Sequence, residues 1–187
     1  MKIAIIDGMV SQQPQIDLVG VANWLDNQVN KVIVLTNFMV PGYAKRIYQA
    51  LQENDDTWQS VRKEGIVILY KEKTFRDLER QLIGNGTLHI FEFSEMTIIF
   101  PNVDRKNSEC FSKQIEQQIS DYLYGQVKPM CLLPTQYIAE HLVTKGWRYA
   151  NDQINLGPIA LTDTTITSKI VYQNQLVPNS ILLTLIN

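Results

Sequence analysis

A segment in the middle of this 187-residue chain limits its fold more than any other. A short apolar run, Thr97–Asn102, is followed by a helical pattern that ends near Leu123 and then by a second apolar run, Lys128–Pro134. A strand, a helix and a second strand in this order predict a βαβ unit, in which the two strands are parallel. The chain is therefore expected to contain at least one parallel strand pair connected by a helix.

The residues where these two strands stop are candidates for ligand contacts. Ligands of open parallel sheets bind beyond the carboxyl ends of the strands. In this segment those ends carry Pro101, Asn102, Pro134 and Thr135. We therefore predict a binding site there, with Asp104 close behind the first strand.

Strand and helix patterns also alternate over the rest of the first 145 residues. Apolar strands are indicated at 3–6, 32–35 and 65–70, and helical spacing at 18–29 and 43–51. Thr74 and Asp77 are spaced like a capping box and predict one more helix, which ends near Gly84. This alternation predicts an α/β three-layer sandwich with a mainly parallel, Rossmann-like sheet.

The last forty residues have a different character and are predicted to form a β-rich tail. We assign residues 1–187 to a single domain, with a core at 1–145 and the tail at 146–187. The tail contains two apolar strand patterns, Ile170–Tyr172 and Ile181–Ile186, without a clear helix between them. An uncovered apolar β edge invites pairing with another chain, so a homo-oligomer is expected. The alternative is that the tail folds back as an edge strand of its own sheet.

Composition and charge favour a globular protein of the cytoplasm. Hydrophobic residues make up 45% of the chain and charged residues 19%, which is typical of a folded domain. The net charge is −2 without a long basic run, so no nucleic-acid partner is expected. The first apolar run is too short for a signal peptide, and no window has the apolar length of a membrane span.

The loop from Gly8 to Ser11 is a candidate anion site, because it follows the first strand and precedes the first helix. Backbone N–H groups in such a loop can hold an anion, and glycine permits its close approach. Thr36 and Asn37 end the next strand, so a hydroxyl there could reach the same phosphate. The loop matches neither G-x-G-x-x-G nor a P-loop, and a plain βα turn and a helix-capping threonine are the alternatives.

Four aspartates, Asp7, Asp55, Asp56 and Asp104, suggest a different chemistry. Carboxylates at strand ends can hold divalent cations for the attack of water on a phosphodiester. Asp7 and Asp104 lie where strands are expected to end, but Asp55 and Asp56 lie in a polar break that favours a solvated loop. A metal-dependent nuclease is therefore an alternative interpretation, and no residue is assigned as a metal ligand.

The order of several short motifs resembles a flavoprotein family, that of the flavin-dependent cysteine decarboxylases, phosphopantothenoylcysteine decarboxylase and flavin prenyltransferases. The motifs lie at Gly8, Val34–Thr36, Ile99–Pro101, Ile119–Leu123 and Lys128–Pro134. The resemblance covers about residues 1–145. It implies an α/β sandwich, FMN bound between subunits, and a trimer-based assembly.

The resemblance also implies roles for the candidate residues. The phosphate of FMN, or of a related phosphorylated ligand, would be held by the loop of Gly8 and Ser11 and by Thr36, and the ring or substrate would face Asn102, Asp104 and Thr135. The full predicted cofactor site is Gly8, Met9, Ser11, Thr36, Asn37, Pro101, Asn102, Asp104, Pro134 and Thr135. A decarboxylase-like activity stays open, and the alternative is a cofactor-free scaffold or regulatory protein that keeps the fold.

Overall fold

Two six-stranded sheets, one in each of two units, form the framework of the chain. The computed structural model describes residues 2–7, 17–28, 31–36, 42–71, 73–82, 86–103, 108–123, 128, 130–149, 160–162, 166–169 and 180–185. Unit 1 comprises residues 1–72, 153–158 and 167–187, and unit 2 comprises residues 73–152 and 159–166.

The described residues form strands and helices in both units. In chain order they are β1 (Lys2–Asp7), α1 (Leu18–Gln28), β2 (Val32–Thr36), α2 (Tyr43–Asn54), β3 (Gln59–Lys63), β4 (Ile66–Tyr70), β5 (Arg76–Gln81), β6 (Thr87–Glu92), β7 (Thr97–Asn102), α3 (Ser108–Leu123), β8 (Met130–Leu132), α4 (Gln136–Val143), β9 (Arg148–Tyr149), β10 (Leu161–Thr162), β11 (Ile166–Lys169) and β12 (Ser180–Leu185). No helix in these ranges is long and apolar enough to cross a membrane.

The sheet of unit 1 has the strand order β11-β12-β1-β2-β4-β3. β1 and β2 are parallel and are connected through α1, whereas β12–β1, β2–β4 and β3–β4 are antiparallel. The turn between β3 and β4 consists of Glu64 and Gly65, and Gly65 has a φ of 80°. A two-residue connection can join only antiparallel strands, and glycine adopts the left-handed backbone that such a turn needs.

Helices α1 and α2 cover one face of this sheet. Alternate residues of a strand point to the same face, and here that face is apolar. The core it forms with the two helices contains Ala4, Ile6, Ile33, Leu35, Val21, Ala22, Leu25, Ile47, Leu51 and Trp58. Asp17 caps α1, because its Oδ1 accepts the N–H of Gly20 at 2.9 Å.

The sheet of unit 2 has the strand order β5-β6-β7-β8-β10-β9. β7 and β8 are parallel, with Thr97 opposite Met130 and Ile99 opposite Leu132, and α3 connects them. This confirms the βαβ unit predicted from the sequence. The other pairs, β5–β6, β6–β7, β8–β10 and β9–β10, are antiparallel.

Helices α3 and α4 pack on the sheet of unit 2. The core there contains Leu88, Ile90, Ile99, Leu132, Phe111, Ile115, Ile119, Ile138, Ala139 and Leu142. Gly86, just before β6, is part of this packing, because a Cβ atom at that position would lie 2.7 Å from Cε1 of Phe111. The helical spacing of the apolar residues in α3 is thus explained by one buried face.

The two units share one topology. In unit 1 the chain order β1-α1-β2-α2-β3-β4 gives the spatial order β1-β2-β4-β3, and in unit 2 the chain order β7-α3-β8-α4-β9-β10 gives β7-β8-β10-β9. An antiparallel strand, β12 or β6, lies on the other side of each parallel pair. Each unit therefore has a parallel strand pair inside a mixed sheet.

The predicted mainly parallel, Rossmann-like three-layer sandwich is wrong. Both sheets are mixed, and antiparallel pairs outnumber the parallel pairs β1–β2 and β7–β8. The helix predicted from Thr74 is strand β5, and the polar strand β3 was not predicted. Connections as short as that between β6 and β7 have no room for a crossover helix, so these strands must run antiparallel.

The described part of the tail folds back onto its own sheet, as in the alternative interpretation of the sequence. β12 lies between β11 and β1, and Lys2 of β1 is opposite Thr184. Both edges of β12 are therefore paired within its own sheet. Residues 180–185 do not present the uncovered edge from which an oligomer was predicted. The other predicted tail strand, Ile170–Tyr172, lies outside the described residues. The trimer itself stays a prediction.

Candidate ligand sites at the strand ends

The parallel pair of unit 1 places Asp7 and Thr36 opposite each other at its carboxyl end. The side chain of Thr36 is buried, and its hydroxyl donates a hydrogen bond of 3.4 Å to the carbonyl of Ile6. The hydroxyl proton of Thr36 is therefore engaged in a hydrogen bond within the sheet. The predicted neighbours Gly8, Met9, Ser11 and Asn37 lie outside the described residues, as does Asp104.

The parallel pair of unit 2 brings four predicted residues to one edge of its sheet. Pro101 and Asn102 end β7, opposite Leu88 and Thr87 of β6. On the other side of β7 the parallel register continues past β8, because the N–H of Leu133 donates to the carbonyl of Ile99 at 2.9 Å. The next residues, Pro134 and Thr135, therefore lie at the same edge. Both prolines are buried, whereas Asn102 and Thr135 are half-buried.

Thr135 also begins helix α4. It is the N-cap residue, in extended conformation, and its carbonyl accepts the N–H of Ala139 at 2.9 Å without a capping bond from the hydroxyl. The second residue of the helix, Tyr137, is exposed. The sequence analysis did not identify Tyr137 as a candidate site residue. The helical spacing of Ile138 and Leu142 does indicate that the preceding residue, Tyr137, lies off the buried face of the helix.

The four aspartates considered for a metal site do not form one cluster. Asp55 and Asp56 precede β3, whose first residue Gln59 is opposite Tyr70, and Tyr70 is opposite Val32 at the amino end of β2. They therefore lie at the edge of the sheet opposite to Asp7. Among the residues that the structure describes, no group of three or more His, Cys, Asp or Glu could hold a metal ion.

Asp55 instead belongs to a charged cluster around Lys71. Nζ of Lys71 is 2.7 Å from Oδ2 of Asp55 and 2.8 Å from Oδ1 of Asp26, and it lies 4.6 Å from the ring centre of Trp58. Trp58 Nε1 donates to Asp26 at 3.2 Å. Hydrogen bonds from Lys71 and then Thr57 hold the pKa of Asp55 well below its usual range. Burial alone would lower the pKa of Lys71, but its bonds to the two carboxylates raise that pKa overall.

Comparison with known proteins gives matches among solved structures only. No protein-family model matches the sequence, and no curated protein matches it. An endonuclease/exonuclease/phosphatase family protein from Leptotrichia buccalis is similar over 100% of both chains, with a TM-score of 0.61 and 11% identity. Truncated TDP2 from Caenorhabditis elegans has a TM-score of 0.60 and 11% identity over 100% of this chain and 97% of its own.

A third similar structure is the endonuclease domain of TRAS1, a telomere-specific non-LTR retrotransposon. Its TM-score is 0.56 at 7% identity, over 98% of this chain and 97% of that domain. The prediction that nucleic acid is not a partner conflicts with this neighbour and is withdrawn. That prediction relied on net charge, which describes the chain as a whole and not the surface of a site.

The flavoprotein resemblance is wrong, and the prediction of FMN as a cofactor is wrong as well. Its motifs correctly marked strand ends and a helix, but such short motifs recur wherever a strand, a helix and a strand follow each other. The α/β sandwich expected from the sequence had a mainly parallel sheet, whereas both sheets here are mixed. The comparisons and the topology agree that this chain has the fold of endonuclease/exonuclease/phosphatase family structures.

Proposed function

We propose that this chain is a metal-dependent nuclease, which hydrolyses phosphodiester bonds of nucleic acid. The observation that carries the proposal is a likeness of fold to two solved structures, an endonuclease domain and an endonuclease/exonuclease/phosphatase family protein. In both comparisons the likeness covers nearly all of this chain and nearly all of the other. Identities of 7% and 11% support the fold, and the activity is inferred from it. A cytoplasmic location stays a prediction from the sequence.

Among the described residues of unit 1, Asp7 is the one best placed to contribute to such a centre. It ends β1 at the carboxyl edge of the parallel pair, where ligands of this type of strand pair bind. Its carboxylate is the kind of oxygen ligand that Mg²⁺ or Ca²⁺ prefers. In nucleases a divalent cation activates water and neutralises charge on the phosphate. The described residues contain no group of three or more metal-ligating side chains. The role proposed for Asp7 is therefore to supply one ligand to the cation.

A second candidate function is nucleic-acid binding without cleavage. It is favoured by the chemistry of the described strand ends of unit 2, where Asn102, Pro134 and Thr135 are neutral. Amides and hydroxyls can hydrogen-bond to phosphates, sugars and bases, but they do not neutralise two charges of a divalent cation.

The test is a cleavage assay with labelled single-stranded and double-stranded DNA and RNA. Under the main proposal the chain cleaves at least one of them with Mg²⁺ or Mn²⁺, and EDTA abolishes cleavage. Asp7→Asn keeps the size of the side chain and should lower the rate at least about 100-fold, which is on the order of the loss when one stabilising group is removed from an active site.

The matched control is Asp56→Asn, which removes an exposed carboxylate at the opposite edge of the same sheet. It should cleave like the unmodified chain. Binding of nucleic acid without cleavage under any cation condition would favour the second candidate. Neither binding nor cleavage of any of the four substrates would overturn both.

A further inference from the structure

We infer that Tyr137 is a stacking platform for an unpaired nucleobase at the carboxyl edge of the sheet of unit 2. The inference rests on the proposed function, because the base belongs to the nucleic acid. Tyr137 keeps 46% of its accessible surface. Among the described residues, the other large hydrophobic side chain with such exposure is Val19.

The position of Tyr137 follows from how α4 packs. Ile138, Ala139 and Leu142 form the buried face of this helix, and Tyr137 precedes the first of them by one residue. Successive residues of a helix are turned by about 100°, since one turn contains about 3.6 residues. The ring therefore lies outside the core in the first turn of α4.

The first turn of α4 lies at the edge of the sheet where a ligand is expected. α4 starts immediately after Thr135, which follows β8, and Asn102 ends the neighbouring parallel strand β7. Two half-buried polar side chains and an exposed aromatic ring thus share one edge. The amide of Gln136 donates to Oε1 of Glu140 at 2.7 Å, so the residue beside Tyr137 is held along the helix.

An aromatic ring at such an edge is suited to one class of ligand. Tyrosine offers a flat face on which any base can stack, and this contact is tolerant of sequence. Bases inside a duplex are already stacked and paired, so the ring can take only a single-stranded or extruded base.

The experiment measures equilibrium binding of a fluorescent single-stranded oligonucleotide by anisotropy, with EDTA present to prevent cleavage. Tyr137→Ala should weaken binding about 5-fold to 150-fold, as for the loss of one stacked base. Tyr137→Phe should bind like the unmodified chain because it keeps the ring. The slope of affinity against salt should be the same in all variants, since stacking releases no counterions.

Two further variants separate stacking from folding. Tyr137→Leu keeps an apolar side chain at the helix start but has no flat aromatic face, and it should lose binding like Tyr137→Ala. Val19→Ala trims the other exposed hydrophobic residue, in unit 1, and should leave binding unchanged. Circular dichroism should show the same melting temperature, within a few degrees, for each variant.

The possible results separate the stacking role from the proposed function. If the unmodified chain neither binds nor cleaves nucleic acid, the proposed function and the stacking inference both fall. If it binds and Tyr137→Ala or Tyr137→Leu binds equally well, only the stacking inference is overturned. Equal losses in Tyr137→Phe and Tyr137→Ala would also overturn it, because they would assign the contact to the hydroxyl.

Discussion

The ammonium nitrogen of Lys71 lies 2.7 Å from Oδ2 of Asp55. A second carboxylate, that of Asp26, is 2.8 Å from the same nitrogen. One cation therefore connects α1, the segment after α2 and the end of β4 within unit 1. The side chains of Lys71, Asp26 and Asp55 keep 19%, 26% and 33% of their accessible surface, so water screens this cluster less than an ordinary surface ion pair.

Removal of the Lys71 charge should destabilise the chain. Lys71→Met keeps most of the aliphatic side chain but leaves two carboxylates facing each other without their cation. We expect the free energy of unfolding to fall by about 1.5–3 kcal/mol, the range for hydrogen bonds to charged groups. Urea denaturation measures it. Lys45→Met, on the exposed face of α2, is the control and should change the value by less than about 0.5 kcal/mol.

The same cluster should make stability depend on pH in the acid range. The pKa of Asp55 is lowered in the folded chain, chiefly by its hydrogen bond with Lys71. Its stabilisation is therefore fully present above the unfolded-state pKa of about 3.9 and is lost as the pH falls toward the folded-state value. The difference in stability between the unmodified chain and Lys71→Met should narrow below about pH 4. A difference that stays constant from pH 7 to pH 2.5 would contradict this cause.

Gly86 should not tolerate a side chain. A Cβ atom there would lie 2.7 Å from Cε1 of Phe111 and 3.0 Å from Cγ1 of Val103, while the carbonyl of Gly86 accepts the N–H of Leu82 at 2.8 Å. Gly86→Ala should therefore cost about 1–3 kcal/mol, as for overpacked cores. In a double-mutant cycle with Phe111→Leu the two losses should be less than additive. Full additivity would mean that the ring is not the obstacle.

The ion pairs between α3 and α4 should contribute less than the Lys71 cluster. Glu116 accepts from His141 at 3.0 Å and lies 3.4 Å from Lys145, and these contacts lower its pKa, with the His141 hydrogen bond as the main cause. All three side chains keep at least 25% of their accessible surface. Glu116→Gln should cost less than about 1 kcal/mol, and salt should reduce the difference. A loss as large as that of Lys71→Met would contradict this ranking.

Some of the fold follows directly from the pattern of residues. The apolar runs at β1, β2 and β4 are buried strands, and the order of apolar segments over 97–134 is a parallel βαβ unit. These assignments succeeded because a strand buried on both faces and an amphipathic helix leave distinct local patterns. Pro101, Asn102, Pro134 and Thr135 lie at one edge of the sheet, since a βαβ unit brings both strand ends together, and their role in binding stays a prediction.

Other parts depend on contacts that the local pattern does not record. Phe75, Leu78 and Leu82 have helical spacing, yet β5 is an edge strand in which Leu78 lies opposite Ile90 of β6. Helix propensity and capping preference are weak compared with pairing along a whole strand. β3 is polar and mostly exposed, so it lacks the apolar signal of a strand and is held by its register with β4.

By itself, the sequence determined which segments are buried, where strands stop, and which polar residues follow them, because each property depends on residues a few positions apart. Tertiary structure alone decided the direction and partner of strands that lie far apart in the chain. β12 reaches β1 from the far end of the chain, and Asp55 lies at the edge of the sheet opposite to Asp7. The energy of strand pairing depends on which backbones meet in space. Residues about 180 positions apart, such as Lys2 and Thr184, leave no local sequence pattern that indicates their pairing.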